Sequence, residues 1–362
     1  MRAAQVFGPG DVRVVEVDEP SSGPGQVKIE IAYAGICGTD LMIYTSAPVP
    51  PTSRHPLFGE PGPHTLGHEF CGWVREVGDG VDTVQVGDLV TVAPTVDDGE
   101  CPACLRGEPN LCEKLGFIGV HGGGGGFSEF VVAAADKVFP LPESFTPQTG
   151  ALVECLAVAW HAARIARAED ARSALVTGAG PVGLALVLAL RAHGVSDIFV
   201  REPAEARSRQ AKALNATLVR DGLDAGPTVD IAFDAAGVGV ASFGPTLAAV
   251  RPGGSAIVVA HFHDDVAINL SHLMISEITV RGSIAYTRRD FEEVIAAIAA
   301  GRLDPAPLVT RQIALDDLVE RGLEHLQSPA GRAHDIKVLV SPSREQACVS
   351  TPAANPGVGE RD

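Results

Sequence analysis

The segment LVTGAGPVG, residues 175–183, places the spacing Gly-x-Gly-x-x-Gly between an apolar strand-like run and an apolar helix-like run. The first glycine makes a tight turn, the second lets the backbone approach a pyrophosphate, and the third lets helix and strand pack closely. The start of the following helix then faces the phosphates. The segment therefore predicts a dinucleotide-binding βαβ unit whose cofactor contacts are Gly178, Gly180, Pro181, Val182 and Gly183.

An acidic residue at the end of the next predicted strand supports this interpretation. Glu202 follows Gly183 by nineteen residues, where a carboxylate can accept hydrogen bonds from the adenosine ribose. The same carboxylate would repel a 2′-phosphate, which favours NAD over NADP. Arg201 and Arg207 act in the opposite direction, because guanidinium groups bind phosphates. The alternatives are simple turn chemistry for the glycines and a solvated strand end for Glu202.

The character of the chain changes near residue 150. Before it, short β-like runs separated by glycine and proline indicate a compact β-rich domain. After it, Ala-rich helical stretches alternate with apolar strands, which is typical of a parallel sheet covered on both faces. The predicted helices and strands of this part are helices 156–168, 182–193, 204–214 and 289–300 and strands 173–177, 197–200, 231–235, 255–260 and 335–340.

The composition is that of a folded globular chain with an acidic charge balance. Its 362 residues suggest two domains, and 45 acidic residues against 28 basic ones give a net charge of −17. This balance argues against nucleic acid or an anionic membrane surface as the partner. The start has no apolar export segment, and the uncharged stretch 174–190 is too short to span a membrane, so a cytoplasmic location is expected.

Three of the seven cysteines crowd into one loop, as Cys101, Cys104 and Cys112. Without an export signal, such crowding favours metal ligation over disulfides. The spacing Cys-x2-Cys-x7-Cys suits a closed tetrahedral zinc site that fixes the loop. A fourth ligand is required, and Asp98 stands three residues before Cys101. A redox Cys-x-x-Cys pair, or a site that no longer holds metal, is the alternative.

A second possible metal site combines Cys37, His68 and Glu154, with Glu69 directly after the histidine. A thiolate, an imidazole and a carboxylate around one Zn²⁺ leave a fourth position for water or substrate, as in catalytic zinc sites. Each residue also has an ordinary interpretation: an inert buried thiol, a surface His–Glu pair and a charge at a helix start. Spacing alone does not join them.

Longer matches connect these motifs. Gly67-His68-Glu69-x2-Gly72-x5-Gly78-x2-Val81 resembles the zinc signature of the medium-chain alcohol/polyol dehydrogenases. The cysteine loop, the glycine motif and Glu154 occur in that family's order, so the resemblance extends over about residues 1–340. Within the family the chain is most similar to the (R,R)-butanediol dehydrogenase branch, on the segments 55–60, 65–70, 122–129, 156–161 and 337–342.

The resemblance implies an α/β fold in which a GroES-like β-rich catalytic domain is combined with a Rossmann domain, a doubly wound parallel sheet. The implied domains are residues 1–150 for the catalytic domain with its zinc sites, 151–281 for the NAD-binding domain and 282–340 for the return to the catalytic domain. Residues 341–362, rich in Ser, Pro, Gly and charge, are expected to form a disordered tail. The family also implies a homo-oligomer, either a dimer or a tetramer.

The resemblance further implies a catalytic zinc on Cys37 and His68, with Glu69 and Glu154 as close or exchanging carboxylate ligands. The structural zinc would lie in the cysteine loop, on Asp98, Cys101, Cys104 and Cys112.

Three departures from the family pattern affect these expectations. Asp98 replaces the usual first cysteine, and its harder oxygen should bind zinc less tightly than a thiolate. Met42 stands where relatives often carry a histidine that passes the proton to solvent. Cys155 replaces the usual proline after Glu154 and so frees a backbone N–H at a helix start.

The implied activity is an NAD(P)-dependent zinc alcohol dehydrogenase acting on a secondary alcohol, a small vicinal diol or its α-hydroxyketone such as acetoin. Cys37 and His68 hold the metal in this hypothesis, and Thr39, two residues past Cys37, accepts the alcohol proton by hydrogen bond. Thr39 as a plain turn residue is the alternative. Two rival functions stay open: a sorbitol-type, threonine-type or biosynthetic polyol dehydrogenase, and a catalytically silent NAD-binding protein.

Overall fold

Short strands dominate the first part of the chain. The computed structural model describes residues 1–50, 52–219 and 228–343. The strands up to residue 140 are β1 Arg2–Gly8, β2 Asp11–Glu16, β3 Gln26–Gly35, β4 His64–Thr65, β5 Glu69–Val77, β6 Leu89–Val92, β7 Thr95–Val96, β8 Gly116–Phe117, β9 Phe130–Ala134 and β10 Val138–Pro140. The helices among them are α1 Gly38–Ser46 and α2 Pro102–Leu105. This is the β-rich part that the sequence predicts.

Helices and strands alternate in the second part. The strands are β11 Ser173–Thr177, β12 Asp197–Arg201, β13 Thr217–Val219, β14 Val229–Asp234, β15 Val250–Val258 and β16 Thr279–Gly282. The helices are α3 Pro147–Gly150, α4 Val153–Ile165, α5 Pro181–Ala192, α6 Glu205–Ala213, α7 Val240–Ala248, α8 Leu270–Ser276 and α9 Arg288–Ala299. The strands form one sheet in the order β13-β12-β11-β14-β15-β16, with every neighbouring pair parallel.

The parallel sheet is covered on both faces. Successive residues of β11, Ala174, Leu175 and Val176, point to opposite faces and are all fully buried. α5 presents buried apolar side chains on several sides, as its sequence predicts. The doubly wound fold class is thereby confirmed.

The last described strands return to the first sheet. They are β17 Val309–Ala314 and β18 Lys337–Ser341, with a π-helical turn Leu318–Glu324 and the short helices α10 His325–Gln327 and α11 Pro329–His334 between them. The mixed sheet has the order β10-β6-β5-β3-β18-β17, and β9 also pairs with β3. Because β18 runs antiparallel to β3, with Leu339 opposite Gly35, residue 337 comes close to residue 36.

The first two residues assigned to the predicted tail belong to the folded part of the chain. Ser341 is the last residue of β18 and pairs with Ala314, and the carbonyl of Pro342 accepts a hydrogen bond from Arg2 Nη2 at 2.8 Å. Both residues are buried, and the strand pairing and this hydrogen bond hold them in place. The rest of the predicted tail, from residue 344, lies outside the described residues.

One apolar core joins the two parts of the molecule. It contains residues of the first sheet such as Tyr33 and Phe139, most of α4, and residues of β11 and α5. α4 therefore lies at the junction, with nearly all of its side chains buried. It begins at Val153, three residues earlier than predicted, so Glu154 lies in its first turn. Among the described residues, no helix has the length and apolarity needed to cross a bilayer.

Candidate active site and cofactor site

Three predicted ligands converge where β3, α1 and β5 meet. Cys37 caps the start of α1, His68 precedes β5, and Glu69 is the first residue of that strand. One ligand atom from each of the three residues lies within 4.8 Å of the others. His68 and Glu69 are buried and Cys37 is partly exposed. We refer to Cys37, His68 and Glu69 as the catalytic cluster.

A buried carboxylate that the sequence analysis missed stands behind this cluster. Asp40 Oδ2 accepts the Cys37 N–H at 2.8 Å. Asp40 Oδ1 lies 3.8 Å from His68 Nδ1, which is too far for a hydrogen bond, and neither of these two atoms has a hydrogen-bond partner. Burial raises the pKa of Asp40, and the charge of His68 opposes this. Burial lowers the pKa of His68, but the charges of Cys37 and Asp40 outweigh it and raise that pKa well above its usual value. His68 therefore lies between two acidic groups, the Cys37 thiol and the Asp40 carboxyl.

Thr39 lies in the first turn of α1, beside the thiol. Its Oγ1 is 3.8 Å from Cys37 Sγ, so the hydroxyl sits next to the catalytic cluster. The helix begins here because the Asp40 carboxylate bonds back to the Cys37 N–H, which satisfies a donor that a helix start leaves open. This local bond brings Thr39 to the position that the sequence predicts.

Glu69 is paired with a lysine from the last strand. Lys337 Nζ lies 2.6 Å from Glu69 Oε2 and 2.8 Å from Oε1, and both side chains are 1% exposed. The same ammonium donates to the Ile36 carbonyl at 3.3 Å. A Cβ at Gly35 would collide with the Glu69 carboxylate, so only glycine fits there. The sequence analysis missed Lys337. The one indication of its role in the sequence is that a charged residue stands at the start of an otherwise apolar strand.

Glu154 lies near the cluster but outside its closest group. It lies in the first turn of α4 and is 4% exposed. Burial raises the pKa of its carboxyl to about 7; the charge of Glu69 also raises this pKa, whereas the charge of His68 lowers it. The buried Tyr286 hydroxyl lies beside Glu154, and burial together with the charge of Glu154 raises the pKa of that hydroxyl. The structure thus brings together three of the four predicted catalytic ligands, with Glu154 next to them.

The cysteine loop forms a second cluster in which all four predicted ligands meet. One atom each of Asp98, Cys101, Cys104 and Cys112 lies within 4.8 Å of the others. The Sγ atoms of Cys101 and Cys104 are 3.5 Å apart, far beyond the ~2.05 Å of a disulfide. Two thiolates on one tetrahedral zinc, with Zn–S near 2.3 Å, would be about 3.8 Å apart. The spacing therefore fits a shared metal ion.

Asp98 is held in place by the loop's own backbone. Its Oδ1 accepts the N–H of Cys101 at 3.0 Å and that of Glu100 at 3.1 Å, and Lys114 lies 3.3 Å from Oδ2. The hydrogen bonds from Cys101 and Glu100 lower the pKa of Asp98, so the carboxyl is ionised at neutral pH. A hard anionic ligand thus faces the three sulfur atoms.

The glycine motif has the geometry that its spacing predicts. Gly178 has φ +96°, a conformation open to glycine, and a Cβ at Gly183 would collide with the Gly178 carbonyl. Gly180 caps the start of α5, Pro181 is its first residue and Val182 follows. These features leave the N-terminal end of α5 free of side-chain caps, as phosphate binding at a helix start requires.

Glu202 and Arg207 both lie beside this turn. Glu202 accepts the N–H of Ala179 at 2.8 Å through Oε2 and that of Ala204 at 2.8 Å through Oε1. Each carboxylate oxygen keeps a lone pair for a further donor. Arg207 Nη1 comes within 3.9 Å of the Cβ position of Gly180. All the predicted cofactor residues are therefore near one another at the carboxyl end of the parallel sheet.

Comparisons with known proteins agree with this arrangement. The family model described as the alcohol dehydrogenase GroES-like domain matches residues 23–143, and the one described as zinc-binding dehydrogenase matches residues 181–300. The (R,R)-butanediol dehydrogenase of Bacillus subtilis (strain 168) is 37% identical over 95% of this chain and 100% of its own length.

Solved structures give the same result. The crystal structure of 2R,3R-butanediol dehydrogenase from Bacillus subtilis superposes with a TM-score of 0.87 and 36% identity, covering 94% of this chain and 99% of that one. An alcohol dehydrogenase of Escherichia coli CFT073, complexed with NADH, gives a TM-score of 0.84 at 25% identity, covering 94% and 99%. Similarity of this extent shows that the chain belongs to the zinc-dependent medium-chain alcohol dehydrogenase family.

Proposed function

We propose that this protein is a zinc- and NAD-dependent dehydrogenase that oxidises a small vicinal diol, or reduces the matching α-hydroxyketone of the acetoin type. The observation that carries the proposal is the convergence of Cys37, His68 and Glu69 in a chain that also holds an intact dinucleotide turn. The substrate class is supported by the similarity to (R,R)-butanediol dehydrogenase over nearly the whole length of both chains.

The residues of the catalytic cluster fit a zinc ion. A thiolate and an imidazole are preferred zinc ligands, and a carboxylate behind the imidazole, here Asp40, is the usual support for a ligating histidine. Glu69 and Glu154 would supply carboxylate oxygens, although Glu69 is held by Lys337 in this structure. Zinc bound here supplies a Lewis acid that lowers the pKa of a bound alcohol.

Thr39 would take the proton in this proposal. The substrate passes its O–H proton to the Thr39 hydroxyl, which at the same time releases its own proton to water. Water takes this role because Met42, which stands where relatives often carry a histidine, has no titratable group. With NAD bound, the nicotinamide ring would supply the acceptor for a hydride from the substrate carbon, so that loss of the proton and the hydride would convert the alcohol to the ketone. Reduction of the ketone runs through the same steps in reverse.

The Rossmann half would hold NAD in preference to NADP. Gly178, Gly180 and Gly183 give the pyrophosphate access to the start of α5, and Glu202 would accept hydrogen bonds from the ribose. A 2′-phosphate would meet the Glu202 carboxylate, whereas Arg207 would attract it. The Glu202 carboxylate is fixed to the glycine turn by its hydrogen bond from the Ala179 N–H, and this position supports NAD over NADP.

The cysteine loop would hold a second, structural zinc on Asp98, Cys101, Cys104 and Cys112. Its support is the convergence of four ligand atoms and a sulfur–sulfur distance compatible with one tetrahedral ion. We propose the domain division 1–150 and 282–340 for the catalytic domain and 151–281 for the dinucleotide-binding domain. The pairing of β18 with β3 supports the return of the chain to the first domain.

We further propose a cytoplasmic homo-oligomer, a dimer or tetramer, with a small molecule as its substrate and no nucleic acid or membrane partner. The apolar side chains Leu270, Met274 and Ile275 of α8 are 71–75% exposed, as a surface that packs against a second copy would be. The six described cysteines are all free thiols, which suits a reducing compartment.

A substrate panel with metal analysis tests the proposal. Purified protein should contain about two zinc ions per chain, one for each ligand cluster of this family. It should form NADH fastest with 2,3-butanediol among diols, polyols and β-hydroxy amino acids, and more slowly with NADP. Sorbitol or threonine faster by about tenfold would move the assignment to those dehydrogenase types. No turnover with any alcohol would indicate a silent NAD-binding protein.

Two variants connect the activity to the cluster. Cys37→Ser and His68→Ala should each abolish turnover while NADH binding, followed by fluorescence, is retained. The matched control is Cys71→Ser, a buried cysteine of β5 outside both clusters, which should keep its zinc. Full activity in folded Cys37→Ser or His68→Ala protein would rule out the proposed site.

A further inference from the structure

Asn110 connects the cysteine loop to the rest of the molecule. It lies on the 3₁₀ turn Pro109–Leu111, and this turn is followed directly by Cys112. Its side chain is polar, yet the residue is only 5% exposed. A buried amide needs partners, because a buried donor without a partner destabilises the fold. Its bonds therefore show what the loop is fastened to.

Both donors of the Asn110 amide are used. Nδ2 donates to the Ile284 carbonyl at 3.1 Å and lies 3.4 Å from His161 Nε2. His161 Nδ1 is 2.8 Å from Asp290 Oδ2, and because a carboxylate only accepts, Nδ1 carries the proton and Nε2 is the acceptor. Burial raises the pKa of Asp290, but hydrogen bonds from His161 and Arg164 outweigh it and lower that pKa, so the carboxylate is ionised.

The turn 284–287 is fixed at both of its ends by this network. Asn110 holds the carbonyl of Ile284, and Asp290 accepts the Thr287 N–H at 2.8 Å and its hydroxyl at 2.7 Å. Between them, Ala285 has φ +48°, a left-handed conformation that is strained in residues other than glycine. The surrounding bonds must maintain this conformation.

The strained turn directs Tyr286 towards the catalytic side. The Tyr286 side chain is 2% exposed, and its hydroxyl has no hydrogen-bond partner but lies beside Glu154. Glu154 and His161 both belong to α4, seven residues apart, so one face of this helix carries the neighbour of Tyr286 and the histidine that contacts Asn110 and Asp290. The Tyr286 hydroxyl is thus a buried polar group whose neighbour is the Glu154 carboxyl.

We infer that Asn110 is a positioning residue that fixes the turn 284–287 and so holds the Tyr286 hydroxyl against Glu154. The cysteine loop thereby sets the geometry of the substrate site through one side chain. This inference rests on the proposed function for its catalytic consequence, but the tether itself does not depend on it. Metal binding in the loop would then order residues 284–287 as well as the loop.

A double-mutant cycle on the full-length, zinc-loaded enzyme tests the inference. Asn110→Ala should lower kcat/KM for butanediol by about tenfold, and by about twofold or less when Tyr286→Phe is already present, because residues acting through each other are not additive. NADH affinity and zinc content should match the parent in each protein. Leu111→Ala, on the same turn but 47% exposed, is the control and should change kcat/KM by less than about twofold. Equal losses from Asn110→Ala in both backgrounds would overturn the inference.

Hydrogen–deuterium exchange tests the tether independently of activity. In Asn110→Ala, the peptide covering 283–287 should exchange at least about tenfold faster than in the parent, while the peptide covering 178–183 is unchanged. Leu111→Ala should leave both peptides unchanged. Unaltered exchange at 283–287 in Asn110→Ala would refute the tether. If the protein oxidises no alcohol, the proposed function fails, but this measurement still decides whether Asn110 holds the turn.

Discussion

Removing Lys337 should be among the most destabilising single changes in the molecule. Its ammonium makes three contacts, to both oxygens of Glu69 and to the Ile36 carbonyl, and both charged side chains are 1% exposed. Lys337→Met keeps the length of the side chain but leaves the Glu69 carboxylate buried without its partner. Breaking a buried ion pair in this way costs about 3–5 kcal/mol.

The assay is urea unfolding of metal-free protein, followed by tryptophan fluorescence. Trp73 lies on β5, the strand that begins with Glu69, and therefore reports on the relevant sheet. The control is Arg321→Met, which breaks an exposed pair with Asp317 and should cost less than about 1 kcal/mol. In Lys337→Met, the additional change Glu69→Gln should restore part of the loss, because it removes the unpaired charge.

The outcome that contradicts this reasoning is a loss below about 1 kcal/mol in Lys337→Met. Such a value would mean that Glu69 reaches water or is protonated at little cost. A full loss that Glu69→Gln leaves unchanged would instead attribute the effect to packing of the lysine stem, and the charge would not be the cause.

Three more outcomes are expected. Glu202→Ala should weaken NAD binding much more than NADP binding in fluorescence titrations, and equal losses would remove its ribose role. Asp98→Cys should retain the loop metal longer than the parent when a chelator is added, because thiolate binds zinc more tightly than carboxylate; faster loss would contradict this. Burial lowers the pKa of His121 to about 4, aided by the charges of His55 and His64. Since the unfolded value is about 6.5, the unfolded chain takes up a proton first, and stability should fall from pH ~6.5 towards ~4. His121→Asn should flatten this fall in urea unfolding at pH 7.5 and 5, and an unchanged slope would speak against it.

Local patterns were enough to predict much of the fold. The strand Ser173–Thr177 lies where the sequence places it, because an apolar run next to a glycine turn has few alternatives. The four ligands of the cysteine loop lie within fifteen residues, so their spacing already contains the geometry. α1 was not predicted, because it depends on a bond between Cys37 and Asp40 and has little amphipathic pattern.

Residues that depend on distant partners were beyond sequence reasoning. Lys337 is 268 residues from Glu69, and nothing near either residue indicates that they meet. Tyr286 lies on a turn whose shape depends on Asp290, in the helix that follows, and on Asn110, which is 174 residues from Ile284. Residue type and the resemblance to a family both indicated Glu154 as a ligand candidate, whereas the structure shows that it lies outside the closest group of ligand atoms.

The position of β18 in the chain has a consequence for biosynthesis. During translation, β3, β5 and the thiol of Cys37 leave the ribosome long before Lys337 is made. Until then the mixed sheet lacks the strand that lies between β3 and β17, and Glu69 has no cation to meet. The mixed sheet can therefore be completed only after the whole parallel sheet has been synthesised, so the nascent chain must keep an open sheet edge protected in the meantime.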